Sequence, residues 1–301
     1  MRNFRTAALA GLATTLLALT ACGGGGELSE EGAADQPTAE ARASFEAGTT
    51  MATISEAKKI KIGTKFDQPG FGEANLQNVP EGFDVDVAEY IAAKLGVAPD
   101  AITWVPSPSA QREDLIANGE VDLVVATYTI NDKRKERITF AGPYYVAGQQ
   151  IMVAKDNSTI TGPESLKANP DQKICSVTGS TPAENIRQYL ADPSQLVEFA
   201  GYSDCADQLK NGQVAAVTTD NVILTGLVAK SDDAFKLVGE QFTEEPYGIG
   251  ITKGDTAFCE FINETLSEMS ESGDYEKAWN ATAGKYEGTE VPTLPTADAC
   301  V

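Results

Sequence analysis

The sequence predicts an α/β fold in which helices cover mainly parallel sheets, organised as two successive units. Three observations lead there. From about residue 58 short apolar runs alternate with segments of helical period, the alternation begins again near the middle of the chain, and 42% apolar residues over 301 positions suffice for a substantial core. Wholesale disorder is excluded by the same composition.

Taken in order, residues 60–66 alternate Ile60, Ile62, Thr64 and Phe66 against Lys61, Gly63 and Lys65, the two-residue period of a strand. Residues 82–96 place Val87, Ile91 and Leu95 on one stripe and end on Gly96, which predicts a helix with a glycine stop. Ser109 is placed to cap a second helix that carries Leu115 and Ile116 and ends at Gly119. The apolar run 121–126 that follows suits a central parallel strand. The second unit repeats this grammar, with strands expected at 151–155, 173–177, 196–199, 215–218 and 236–238 and helices at about 182–191, 203–211 and 220–229. A strand at 247–251, helices at about 254–272 and 273–286, and an irregular tail from Gly288 with Pro292 and Pro295 complete the chain.

Acidic residues outnumber basic ones by 44 to 23, for a net charge of −21. That balance is the opposite of a nucleic-acid footprint, so no such partner is expected. The absence of histidine removes Ser-His-Asp and Cys-His nucleophile schemes and every metal site built on imidazole. No phosphate-cradling glycine loop is found, and no cofactor or metal is expected.

The first 21 residues run basic, apolar, then small: Arg2 and Arg5, the stretch 7–19, then Thr20 and Ala21. This is the pattern of a secretory signal, too short for a membrane span. Leu19-Thr20-Ala21-Cys22 resembles the bacterial lipobox, in which the cysteine thiol receives diacylglycerol, so Cys22 is expected to anchor an exported protein at the outer face of the cell membrane. Residues 22–50 read as a flexible spacer, rich in Gly, Ala and acids with little to bury. Four cysteines remain, Cys175, Cys205, Cys259 and Cys300, and outside the cytosol an even count favours two disulfides. Three pairings are open. Cys175 with Cys205 and Cys259 with Cys300 is the expectation, since each pair would staple neighbouring elements and the second would tie down the tail.

Gly82-Phe83-Asp84-Val85-Asp86-Val87, Val121-Asp122, the segment from Ala126 to Arg134 and Phe140-Ala141-Gly142-Pro143-Tyr144-Tyr145 resemble, in order, the signature of the polar amino-acid (family 3) extracellular solute-binding proteins of ABC importers. The resemblance covers about residues 58–287. Residues 64–70 and 109–113 are similar, more narrowly, to glutamate-binding lipoproteins of actinobacteria. It implies a type II periplasmic-binding-protein-like fold: lobe 1 from 51–146 and 247–301, lobe 2 from 147–246, and two hinge crossings near 145–150 and 244–247. A monomer that closes on its ligand and hands it to a membrane permease is the corresponding expectation.

A free amino acid presents a carboxylate and an ammonium group. The resemblance assigns the first to Arg134, whose planar fork can grip a carboxylate with two bonds, and the second to Asp220. Asp220 is equally apt as the N-cap of the helix that follows. Thr127 and Thr129 alternate on one side of the strand end and offer further donors, unless they are ordinary β-branched strand residues. Thr181, Pro182 and Glu184 read as N-cap, first-turn proline and capping box, and the same turn makes Ser180 and Thr181 ligand candidates. Where relatives of other specificity carry an acid, this chain has Lys65, which suits a ligand with a second carboxylate. Arg112 is a weaker second choice for that group and competes with a solvated role beside Glu113 or Asp114. Phe66 and Tyr128 are candidates for the pocket wall or plain core. L-glutamate is the expected ligand, with aspartate, glutamine or asparagine as alternatives. A dehydratase or a signalling sensor on the same scaffold is the remaining alternative.

Overall fold

The computed structural model describes residues 41, 42 and 44–301. The expected signal, Cys22 and most of the spacer lie outside the described residues. The chain begins with helix α1 (Thr50–Ala57), capped by the Thr49 hydroxyl, and enters strand β1 (Ile60–Thr64). Strands β2 (Asp67–Gln68), β3 (Gly72–Ala74) and β4 (Pro80–Glu81) form a small antiparallel sheet. Helix α2 (Phe83–Lys94), strand β5 (Ile102–Pro106), helix α3 (Arg112–Ala117), strand β6 (Leu123–Val124), the single turn α4 (Asp132–Lys135) and the long strand β7 (Thr139–Ala147) follow.

Gly148 then leads into β8 (Gln149–Ala154), β9 (Ile174–Val177), α5 (Thr181–Ile186), β10 (Leu196–Phe199), α6 (Tyr202–Lys210), β11 (Ala216–Asp220), α7 (Asn221–Ala229) and β12 (Phe235–Val238). Strand β13 (Glu245–Ile251) returns to the first sheet, and α8 (Thr256–Glu271) and α9 (Asp274–Ala281) pack back on it.

The first sheet has the order β5-β1-β6-β13-β7 and the second β10-β9-β11-β8-β12. Both are mixed but mostly of one direction. In each, four of the five strands run the same way, while β13 lies antiparallel to its neighbours β6 and β7, and β8 antiparallel to β11 and β12. The reason is connectivity: each sheet accepts one strand arriving from the other, and that strand runs against the parallel core. The two crossings lie side by side, with Glu245, Pro246 and Tyr247 paired to Ala147, Val146 and Tyr145. We call the first sheet with its helices and the small β2-β3-β4 sheet lobe 1, and the second sheet with its helices lobe 2.

Local sequence explains most elements. Val87, Ile91 and Leu95 are buried on one face of α2, and Gly96 ends it in the left-handed region at φ +74°. Gly82, before that helix, is required because a Cβ would sit 2.4 Å from the Phe71 backbone. Strand β7 contains Gly142-Pro143, which reads as a breaker. It survives because β7 is an edge strand and its register against β13 shifts between Ile249 and Tyr247, so Pro143 withholds no ladder bond. Ser109 does not cap α3; the cap position is Gln111 with no side-chain bond, and Ser109 instead accepts from Arg112.

The end of the expected spacer is packed, contrary to its low hydrophobicity. Arg42 pairs with Glu264 at 2.9 Å and Glu268 at 3.1 Å, and Phe45 meets the edge of Phe261 at 5.5 Å. A single aromatic pair and an ion-pair network are enough to dock this segment on α8. At the base of lobe 1, Trp279 contacts Phe83 at 5.2 Å and stacks on Tyr145 of the crossing at 5.2 Å. That cluster ties the crossing strand to α9.

The disulfides join Cys175 to Cys205 and Cys259 to Cys300. The first links β9 to α6; the second pins the tail to α8. Replacing Cys175 and Cys205 together by alanine, at a sequence separation of 30, should cost about 3 to 4 kcal/mol through released chain entropy. The check is the urea midpoint, and an unchanged midpoint would show that the bond adds no stability.

Candidate functional site

The parallel strands of both sheets end at one cleft, the place where open α/β sheets present loops and helix starts to ligands. From lobe 1, the loop after β6 contributes Thr127 and Thr129, α4 contributes Arg134 and α3 contributes Arg112. From lobe 2, the start of α5 contributes its cap Ser180 and its first residue Thr181, and the end of β11 contributes Asp220. These seven residues, drawn from positions 112 to 220 of the chain, line one inner cavity together with Gln68, Ser109, Pro182, Tyr202 and Ile223. The two lobes meet closely here: the cavity measures about 10 Å³, room for one water at most.

Arg134 is 6% exposed. It donates to the carbonyl of Thr129 at 2.6 Å and, across the cleft, to that of Gly179 at 3.2 Å, and its Nε lies 3.3 Å from Glu113. Of the five N–H donors of a guanidinium, one on each terminal nitrogen is left, the pair a carboxylate fork needs. Burial, and then Arg112, hold its pKa below the usual range.

Arg112 is not the solvated partner of Glu113 or Asp114. It is 3% exposed, donates to the carbonyl of Ala126 at 2.9 Å and to Ser109, and leaves Nε unpartnered. Glu113 and Asp114 are taken by Arg134 and Arg137 instead. Both guanidinium groups lie over the Tyr128 ring, at 4.5 and 4.9 Å, so this aromatic is a buried platform for cations and does not line the cavity. Phe66 is half-buried and faces a separate outer cavity between the lobes.

Asp220 occupies the N-cap position of α7 yet makes no capping bond. Its Oδ2 accepts from the Tyr247 hydroxyl at 2.6 Å and its Oδ1 has no hydrogen-bond partner. Burial, with Glu245 nearby, pushes its pKa up to about 7. A wholly buried carboxylate oxygen without a donor is costly, and in a cleft it faces what the cleft would bind.

In lobe 2 the cap of α5 is Ser180, one residue earlier than the sequence suggests, with its Oγ accepting from Ala183 N at 3.1 Å. Thr181 therefore starts the helix, and its hydroxyl donates to Glu245 at 2.7 Å and lies 3.2 Å from the Thr129 hydroxyl of lobe 1. Thr127 has φ +46°, unusual for a β-branched residue. Asp84 holds it there by accepting from its N–H at 2.7 Å while accepting from the Tyr144 hydroxyl at 2.6 Å. Burial raises the Asp84 pKa to about 7. The backbone donor expected from Thr127 is thus spent on Asp84, and its hydroxyl bonds Gln68 at 3.0 Å.

Lys65 does not line the inner cavity. It is 2% exposed, pairs with Asp67 at 3.2 Å and lies 5.9 Å from the centre of the Tyr202 ring, which does line it. Burial lowers its pKa, with Asp67 opposing. Gln68 and Tyr202, which line the cavity, and Glu245, which accepts from Thr181 beside it, were missed by sequence reasoning, and the lining residue Ser109 was read only as a cap. Gln68 stands in the 64–70 run already singled out, while nothing local marks Tyr202 or Glu245.

Among the described residues no group of His, Cys, Asp and Glu is placed to hold a metal ion, and no helix is long and apolar enough to cross a membrane. Residues 60–282 match the family described as bacterial extracellular solute-binding proteins, family 3. The Corynebacterium efficiens protein named glutamate-binding protein GluB is 41% identical over 249 residues, 80% of this chain and 84% of that one. The Bacillus subtilis ABC transporter glutamine-binding protein GlnH is 35% identical over 283 residues, 93% of this chain and 96% of that one. A solved structure described as an ancestral arginine-binding protein bound to glutamine superposes with a TM-score of 0.69 at 34% identity, covering 77% of this chain and 99% of that one. With the two-lobed fold and its charged cleft, these matches establish that the chain belongs to the bacterial extracellular solute-binding proteins, family 3.

Proposed function

We propose that this protein is the L-glutamate receptor of an ABC importer, held at the outer face of the cell membrane by lipid on Cys22, and that it passes its ligand to the permease. The observation that carries the ligand class is the pairing, in one buried cavity, of the free Asp220 oxygen with two guanidinium groups that keep unused donors. In this reading Arg134 forks the α-carboxylate, Asp220 takes the ammonium group, and Thr129, Ser180 and Thr181 lie along the path between them. Thr127 acts mainly by shaping the wall. Arg112, with its free Nε, then meets the γ-carboxylate, and Lys65, behind Tyr202, adds positive charge from outside the lining. The similarity to a glutamate-binding relative supports the choice.

Glutamine is the second reading, favoured by one contact: Asp67 already neutralises Lys65, and an amide needs no further positive charge. Titration calorimetry with glutamate, glutamine, aspartate and asparagine separates the two. Arg134→Ala should weaken every amino acid by more than about 100-fold, the loss of a buried charge-assisted fork. Lys65→Met should weaken glutamate about tenfold or more and glutamine by less than about threefold. Equal losses would remove Lys65 from ligand selection.

Binding also carries a pH signature. The ammonium group needs ionised Asp220, whose pKa is raised to about 7, so affinity is full above that value and falls as pH drops through it, by up to about tenfold per unit. Asp220→Asn should bind weakly with a flat profile between pH 8 and pH 5.5. A flat wild-type profile would place the ammonium elsewhere. For the anchor, Cys22→Ala should shift the protein from the membrane fraction to the medium.

A further inference from the structure

Helix α6 of lobe 2 starts without a side-chain cap from its own N-cap residue. Its N-cap position is Gly201, which has no side chain, and the first N–H group of the helix, that of Tyr202, donates instead to Asp67 Oδ2 at 2.6 Å. Asp67 belongs to β2 of lobe 1, 135 residues earlier in sequence. The glycine is not there for its backbone, since φ −132° and ψ 157° are open to any residue. It is there for space: a Cβ at position 201 would lie 2.7 Å from Asp67 Oδ2. The carboxylate from the opposite lobe stands where the helix's own capping side chain would be. Its other oxygen, Oδ1, pairs with Lys65 at 3.2 Å.

We propose that Asp67 is the N-cap of α6 supplied from the opposite lobe, a latch that forms on closure and at the same time positions the Lys65 ammonium beside the Tyr202 wall of the cavity. Opening the cleft breaks the 2.6 Å bond and returns the helix start to water, so the latch contributes to the closed state alone. Two close approaches on the same face agree with this. A Cβ on Gly226 of α7 would meet the Pro69 carbonyl at 2.5 Å, and Lys230 pairs with Glu73 across the gap. Asp67 acts through Lys65 and α6 and is a positioning residue, not one that touches the ligand. The inference rests on reading the cleft as the ligand site.

Gly201→Ser tests it, because serine caps α6 from within lobe 2 while its Cβ excludes Asp67. The ligand-free variant should melt at or slightly above the wild-type temperature. Its affinity for L-glutamate and L-glutamine should fall about tenfold, through faster dissociation, the equivalent of one lost helix cap. Small-angle scattering at saturating ligand should show less compaction than wild type. Asp67→Ala, which leaves Gly201 alone, should lose affinity similarly and covers the case in which the serine variant does not fold. Affinity within twofold of wild type in either variant, with equal compaction, would overturn the latch. If wild type binds neither amino acid the proposed function falls, and the latch is then read from ligand-free scattering. A more expanded Gly201→Ser upholds it, and equal dimensions overturn it.

Discussion

The structure depends on burying charge in a closing cleft. Lys65, Arg112, Arg134, Asp84, Asp220 and Glu245 are all at most 6% exposed, and no such set survives without partners. Most are served by the protein: carbonyls of Thr129, Ala126 and Gly179, the Tyr144 and Tyr247 hydroxyls, and Asp67. What is left over, Asp220 Oδ1 and Arg112 Nε, lies on opposite lobes and has opposite sign. In the proposed reading a zwitterion with an acidic side chain would satisfy both, which would couple the gain of closing to the selection of ligand.

Rigid parts make that event well defined. The crossings are paired strands, not loose linkers, and Tyr145 at the crossing is held between Trp279 and Tyr247. The strained Thr127 is fixed by a carboxylate rooted in the first turn of α2, with Tyr144 of β7 on its other oxygen. The signature around Gly82 to Val87 is therefore not a binding motif in the direct sense. It supplies Asp84, which shapes the wall from behind, and Gly82, which admits Phe71.

In the proposed closure, motion would fall to the surfaces that meet across the cleft. There, glycines and backbone groups approach more closely than side chains allow, as Gly201 does to Asp67 and Gly226 to Pro69. Close approach without side-chain interdigitation permits two lobes to separate and return without repacking a core.

Much of this was legible in the sequence, because periodicity and local chemistry act over a few residues. The stripe of α2 and the strands of lobe 2 are local signals, and the even cysteine count pointed to two disulfides without fixing their pairing. Arg134 and Asp220 were legible through the family resemblance, with Arg112, Thr127, Thr129, Ser180 and Thr181 read beside them at strand and helix ends. The capping readings misled where a side chain found another partner. Ser109 reads as a cap and serves Arg112, three residues on, and Thr181 reads as a cap and serves Glu245, 64 residues on. Asp220, read both as cap and as ligand group, stands at the N-cap position without a capping bond and accepts from Tyr247. A capping side chain is a short polar group beside free N–H donors, and local sequence cannot tell whether tertiary packing brings it a stronger partner. The mixed order of both sheets and the Asp67 bond to α6 were decided by tertiary structure alone, since each depends on a strand or carboxylate arriving from the other lobe.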